Sequence, residues 1–318
     1  MSVYTELTTQ DFESVLADYN LGKLQSYTGI ADGIENSNFF IDMQDGQRYV
    51  LTIFERLDGH ELPYFMRLMK HLAAHGLQSP DVMVRNDDSL IFALNTEGGT
   101  KQGCIVSCLS GETLDFLSEA QLDSSGEALA TLHMAGSSFN EHRENPTDFD
   151  WLQENIQAMQ ADVEKTYGVE AQALLNDELN FQIKAKKNQG ELDLPSGVIH
   201  GDLFVDNILF AGDKVSGVID FYYAHNAAFV MDIAIAINAQ AIVLGKNDKN
   251  RMMVFLKGYE SKRILTPAEK AALNGLLRLG ALRFWVSRLF DALYPRGGAM
   301  TQTKDPEEYR QKLLLHRG

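Results

Sequence analysis

Two runs rich in aromatic and β-branched residues, 37–43 and 48–54, flank Asp45-Gly46. That arrangement predicts a β-hairpin. Helical spacing follows: Phe65, Leu68, Met69 and Leu72 fall on one face, with Gly76 placed to end the helix. Two more strand-like runs, 89–94 and 103–109, end at Ser110-Gly111. Beyond Gly111 the texture is mostly helical. Residues 125–136 read as an apolar helix, about 151–190 as a charged helical stretch, and 275–293 as the longest amphipathic helix. A short β island interrupts from Val198 to Asp220, and helices resume from Ala228. The pattern predicts an α+β chain with a small strand-rich lobe over 1–106 and a larger, mostly helical lobe over 107–318. The hinge falls at about 107–111, and a joint between lobes is a usual place for a ligand cleft.

A length of 318 residues agrees with two domains. Charge narrows the function: 28 Lys+Arg against 44 Asp+Glu give a net −16, which argues against nucleic acid or a membrane as partner. It leaves room for an anionic small molecule held by a metal or a local cluster of cations. Cys104 and Cys108 are too few for a disulfide framework and lack zinc-spaced partners, so they read as buried thiols in a reducing compartment. The first twelve residues have no basic or apolar signal region, and Phe229–Leu244, the most apolar stretch, is short and carries Asp232, Asn238 and Gln240. The expectation is a cytoplasmic protein, monomeric or a homodimer.

The chemistry concentrates in 198–221. His200-Gly201-Asp202 is followed by four residues and Asn207, then a strand, a Gly212-Asp213 turn, and a second strand ending in Asp220. In an antiparallel hairpin the start of one strand lies beside the end of the other. Asn207 and Asp220 occupy those places, and an amide oxygen with a carboxylate suits a hard cation such as Mg²⁺. Asp202, one short loop earlier, can face the same point. The spacing is that of a kinase catalytic loop, in which the first Asp takes the hydroxyl proton and the Asn and second Asp hold the metal. Asp202 is therefore the expected base, and Asn207 and Asp220 the expected metal ligands. His200 is expected to hold the loop. Asp232, a carboxylate in an apolar helix, needs partners and can cap loop N–H groups. His133 reads as a satisfied core histidine.

"HGDLFVDNILF" followed by "GVIDF" resembles the aminoglycoside phosphotransferase and choline kinase superfamily. "GIENSNFFI", "RYVLTIFE", "SGET" and "ALRFWVSRLFD" with "YPRGG" resemble its homoserine kinase branch. The resemblance covers nearly the whole chain and implies a bilobal protein-kinase-like fold that uses ATP and Mg²⁺. It further implies a phosphate-covering loop at Gly29–Asn38, with Gly29, Gly33, Ser37 and Asn38 as contacts, and adenine against main-chain groups at Ser107 and Leu109. The implied acceptor is L-homoserine, with Arg283 and Arg288 as candidates for its carboxylate, or as structural ion pairs, for example with Asp291. One departure stands out: Thr52 occupies the strand position where kinases carry a phosphate-binding Lys. Only Phe221–Ala228 separates Asp220 from the next apolar helix, too short for a protein kinase's activation segment. A small hydroxyl substrate fits better. The alternatives are another acceptor of the same superfamily (an amino alcohol, sugar or aminoglycoside) and a non-catalytic nucleotide-binding regulator.

Overall fold

The hairpin at Asp45-Gly46 forms the centre of an antiparallel sheet. The structure, a computed structural model, describes residues 5–30, 36–55, 57, 59–96, 99–189, 193–243, 248–295 and 304–318. The chain divides into two units, Met1–Gly111 with Ser216–Ile219 and Gly298–Thr301, and Glu112–Val215 with Asp220–Gly297 and Gln302–Gly318.

The first unit runs through α1 (Thr9–Leu16), β1 (Leu24–Gly29), β2 (Asn36–Met43), β3 (Arg48–Phe54), α2 (Leu62–Ala74), β4 (Phe92–Thr96) and β5 (Gly99–Ser107). Strand order is β1-β2-β3-β5-β4, with every neighbouring pair antiparallel. Gly46 at φ 88° makes the β2–β3 turn, donating its N–H to the Met43 carbonyl at 3.0 Å. Phe39, Ile41, Leu51 and Ile53 share a core with Phe12, Val15 and Leu16 of α1. Successive strand residues face opposite sides, so the register pair Asn38–Thr52 lies on the other face. The expected run at 89–94 begins later, at Phe92, because Arg85 holds Ser89 and the Ile91 carbonyl in its own loop. Cys104 is buried and Cys108 half-buried.

The second unit contains α3 (Glu119–Gly136), α4 (Phe149–Tyr167), α5 (Val169–Gln189), β6 (Ser196–Ile199), β7 (Ile208–Ala211), β9 (His225–Ala228), α6 (Phe229–Ala236), α7 (Asp248–Glu260), α8 (Pro267–Leu293) and α9 (Pro306–Arg317), and strand β8 (Lys214–Val218) begins in it and ends among residues of the first. The single helical stretch expected at 151–190 is two helices, because Gly168 at φ 88° ends α4. Thr266 starts α8 with a capping box to Glu269, and Pro267 takes the first turn, where its missing N–H is harmless. Ile156, Met159, Trp285, Leu289 and Tyr309 join α4, α8 and α9 in one core. Helices α3 and α7 meet at glycines: a Cβ on Gly258 would sit 1.9 Å from the Asp123 carbonyl oxygen, and one on Gly126 2.2 Å from that of Phe255. Among the described residues no helix is long and apolar enough to cross a membrane.

Candidate active site

The loop between β6 and β7 carries His200, Asp202 and Asn207, and buried side chains tether its main chain on both sides of Asp202. Asp232, fully buried in α6, accepts the His200 N–H at 2.8 Å and the Gly201 N–H at 2.9 Å. Arg283 of α8 donates Nη1 to the Gly201 carbonyl at 2.6 Å. Gln240, in the π-helical turn Ile237–Ala241, donates Nε2 to the Leu203 carbonyl at 2.9 Å. Asn207 donates Nδ2 to the Asp202 carbonyl at 2.8 Å, and the Asp202 N–H reaches His200 Nδ1 at 3.3 Å. Only glycine fits at 201: φ is 76°, and a Cβ would lie 2.9 Å from the Tyr223 carbonyl and 3.0 Å from the His225 ring. Asp202 itself is half-buried, with its neighbours fixed before any substrate arrives.

Asp232 is supported from below. A carboxylate only accepts, so His133 donates Nε2–H to it at 3.0 Å. His133 Nδ1 then takes the Tyr259 hydroxyl proton at 2.7 Å, and Tyr259 accepts from Arg263 at 3.1 Å. Every donor in this buried chain points toward Asp232. Burial opposes the Asp232 charge, but the His133 hydrogen bond and the backbone donors outweigh it and hold the carboxyl below its ordinary range. Burial also holds His133 below its usual range, in keeping with a neutral ring.

Asn207 closes a 3₁₀ turn, Val205–Asn207, ahead of β7, and Asp220 follows β8 at the same end of that two-stranded ribbon. The amide nitrogen of Asn207 is engaged with Asp202, so its oxygen is the atom that could meet a cation. Asp220 is exposed and sits at φ 64°, ψ 63°, a left-handed conformation that costs about 1–2 kcal/mol outside glycine. Strain held at an exposed carboxylate is a recurrent mark of a working site. An amide oxygen and a carboxylate are hard donors and fit Mg²⁺.

The remaining expected residues divide. Arg283 is buried with its guanidinium 4.4 Å over the Phe284 ring. Burial works against its charge, and the Asp202 carboxylate is the strongest influence in favour of it. Arg288 shows the structural ion pair that the sequence allowed, with a different partner: Nη1 meets Glu308 at 2.7 Å and the Asp305 carbonyl at 2.8 Å. Ser37 is a correction. It is fully buried on the α1 side of the sheet, donating to Glu55 at 2.7 Å and accepting the Thr5 N–H, so β-strand alternation turns it away from the Asn38 face. Asn38 accepts from Thr52 Oγ1 at 2.7 Å on that other face. The Ser107 N–H donates to the Asp81 carbonyl at 2.8 Å, and its hydroxyl accepts the Asp81 N–H at 2.9 Å. Leu109 is half-buried, and Gly29 ends β1 opposite Phe39. Gly33 lies outside the described residues.

Two features went unread in the sequence. Gln240 was visible only as a polar break in an apolar run. Lys304 pairs with Asp206 on the catalytic loop at 3.1 Å, a contact between residues almost a hundred positions apart that no local pattern encodes.

The fold and site define a phosphotransferase. Residues 26–251 match the phosphotransferase enzyme family, and the fold is the α+β protein-kinase-like one. An amicoumacin kinase solved with AMP-PNP, Ca²⁺ and its antibiotic superposes with TM-score 0.71 at 16% identity, covering 98% of this chain and 92% of that one. Sequence relatives are nearer. A homoserine kinase of Methylobacillus flagellatus is 40% identical over 317 residues, spanning 99% of this chain and 95% of its own. One from Neisseria meningitidis serogroup B is 40% identical over 315 residues, spanning 99% of both. The chain belongs to the phosphotransferase enzyme family, in its homoserine kinase branch.

Proposed function

We propose that this protein transfers the γ-phosphoryl group of ATP to the side-chain hydroxyl of L-homoserine, with Asp202 as the base. One observation carries the acceptor. The family match ends at residue 251, whereas the identity to homoserine kinases spans 99% of the chain and so takes in α8 and α9, the helices that hold Arg283 and pack beside it.

Asp202 receives the hydroxyl proton as the acceptor oxygen bonds to the γ-phosphorus and the bridging oxygen leaves on ADP. The tethered loop keeps that carboxylate in place, so little reorganisation accompanies the step. The Asn207 amide oxygen and the Asp220 carboxylate would hold Mg²⁺, which supplies charge neutralisation across the phosphates. Arg283 is the cation for the substrate carboxylate: it lies in the field of the Asp202 carboxylate, and its Nε has no hydrogen-bond partner among the described residues. The first unit carries the nucleotide contacts: Gly29 and Asn38 toward phosphate, the Ser107 carbonyl and the Leu109 N–H toward adenine.

A coupled assay of ADP release over a panel of hydroxylated metabolites tests the reading. L-homoserine should give the highest kcat/KM, and EDTA should abolish turnover. A faster amino alcohol, sugar or aminoglycoside would replace the acceptor, and nucleotide binding with no turnover on any panel member would make the chain a regulator. Arg283→Lys should raise KM for homoserine about tenfold or more, the scale of one lost charged hydrogen bond, with KM for ATP within about twofold of wild type.

A further inference from the structure

The anchors on the two sides of Asp202 differ in origin. Asp232 and Arg283 hold residues 200 and 201, ahead of it. Behind it, the Leu203 carbonyl is held by Gln240, buried in the π-helical turn that follows α6. A carbonyl only accepts, so the amide nitrogen of Gln240 must face Leu203 and its oxygen must face Ser125, which donates at 2.6 Å. The turn itself is locked. Arg251 donates to the Gln240 carbonyl at 3.0 Å and to that of Ala241 at 3.1 Å. Two residues earlier, Asn238 donates to the Leu277 carbonyl at 2.8 Å, takes His316 Nε2 at 2.7 Å, and offers its carbonyl to Lys312 at 2.8 Å. The carbonyls that a π turn leaves misaligned are thus bound by side chains of α7 and α9, and the widened turn, a frequent companion of functional sites, aims Gln240 at the loop.

We infer that Gln240 is a positioning residue for phosphoryl transfer: by fixing the Leu203 main chain it sets the direction of the Asp202 side chain, with the C-terminal helix α9 and α7 as its support. The inference rests on the assignment of Asp202 as base. It says nothing about the acceptor, because the tether acts before any acceptor binds.

The test compares Gln240→Met with Ser125→Ala. Gln240→Met keeps the length and removes the donor to Leu203; Ser125→Ala removes only the far partner. Gln240→Met should lower kcat about tenfold to a hundredfold, the effect of a displacement of about 1 Å, with KM for ATP and for homoserine within about twofold. Ser125→Ala should keep kcat within about threefold. A Gln240→Met enzyme with wild-type kcat overturns the inference, as does a fall in kcat shared equally by Ser125→Ala. If Gln240→Met does not fold, Gln240→Glu keeps the Ser125 acceptor and sets an oxygen against the Leu203 carbonyl. The same kcat-only loss is then expected, and unchanged kcat overturns the inference. Wild-type turnover on homoserine tests the proposed acceptor separately. Should homoserine not be the acceptor, the same variant ratios are read on the hydrolysis of ATP to water.

Discussion

Asp202→Asn is expected to lower kcat by about three orders of magnitude while Mg·ATP still binds, since general-base removal is worth about 10²–10⁴ in rate. The substitution is close to isosteric, and the bonds described above hold the loop through its main chain. They use the His200 and Gly201 N–H groups, the Gly201, Asp202 and Leu203 carbonyls, and the Asp202 N–H. The loop should therefore keep its shape, and the metal proposed at Asn207 and Asp220 should still bind. Nucleotide titration by fluorescence or calorimetry should give a dissociation constant within about threefold of wild type, and KM for homoserine should move little. Turnover within tenfold of wild type would take Asp202 out of the reaction. Asn207→Ala makes the contrast. It removes the proposed metal ligand and also frees the Asp202 carbonyl that Nδ2 holds, so nucleotide affinity and kcat should fall together. A result in which both variants lost only kcat would separate the amide from the metal.

How much of this was legible depends on whether the signal was local. The β2–β3 hairpin was legible because Asp45-Gly46 supplies the turn's left-handed residue, and the Asp202–Asn207–Asp220 spacing because it is written in one short loop and ribbon, although the side chains that tether that loop, Asp232, Gln240 and Arg283, come from later in the chain. The start of α8 was missed: the amphipathic pattern placed it at 275, whereas the helix begins at Pro267 under a capping box from Thr266 to Glu269. β9 was not legible. "HNAA" has no β-branched or aromatic residue, and it is extended only because Ile199 and its neighbours in β6 pair with it. Ser37 and Asn38 were read together as phosphate contacts, yet adjacent strand residues face opposite sides, and which side holds α1 is a tertiary fact. The ion-pair partner of Arg288 was not legible either, because Glu308 comes beside it from a helix twenty residues on. Asp232 and Gln240 show the limit from the other direction. A polar residue in an apolar run states that a partner exists, because burial without one costs too much, but it does not name the partner.

Gly258→Ala is expected to be the most destabilising single-methyl change in the second unit. The added Cβ would lie 1.9 Å from the Asp123 carbonyl oxygen, 2.7 Å from its carbon and 2.9 Å from its Cα, all backbone atoms that no rotamer change can move. Gly126 shows the same closeness from α3, with the Phe255 oxygen at 2.2 Å and the Tyr259 nitrogen at 2.7 Å. The two helices would have to separate, and the strain should reach about 3 kcal/mol or more. At about 2 °C or more per kcal/mol, melting should fall by about 6 °C or more. The effect should also reach catalysis. The residue after Gly258 is Tyr259, whose hydroxyl holds His133, and His133 holds Asp232, which holds the loop at His200 and Gly201. Parting α3 from α7 stretches the first of those links, so folded Gly258→Ala enzyme should lose kcat more than it gains KM. Gly280→Ala is the comparison. In α8 the nearest atoms to its Cβ would be the Asn238 amide nitrogen at 3.3 Å and Ile235 atoms at 3.8 and 3.9 Å, and alanine is the better helix former by about 1 kcal/mol, so melting should stay within a few degrees of wild type. If Gly258→Ala melted where Gly280→Ala does, backbone contact between α3 and α7 would be disproved, and the chain from Tyr259 to the catalytic loop would lose the crossing that holds it together.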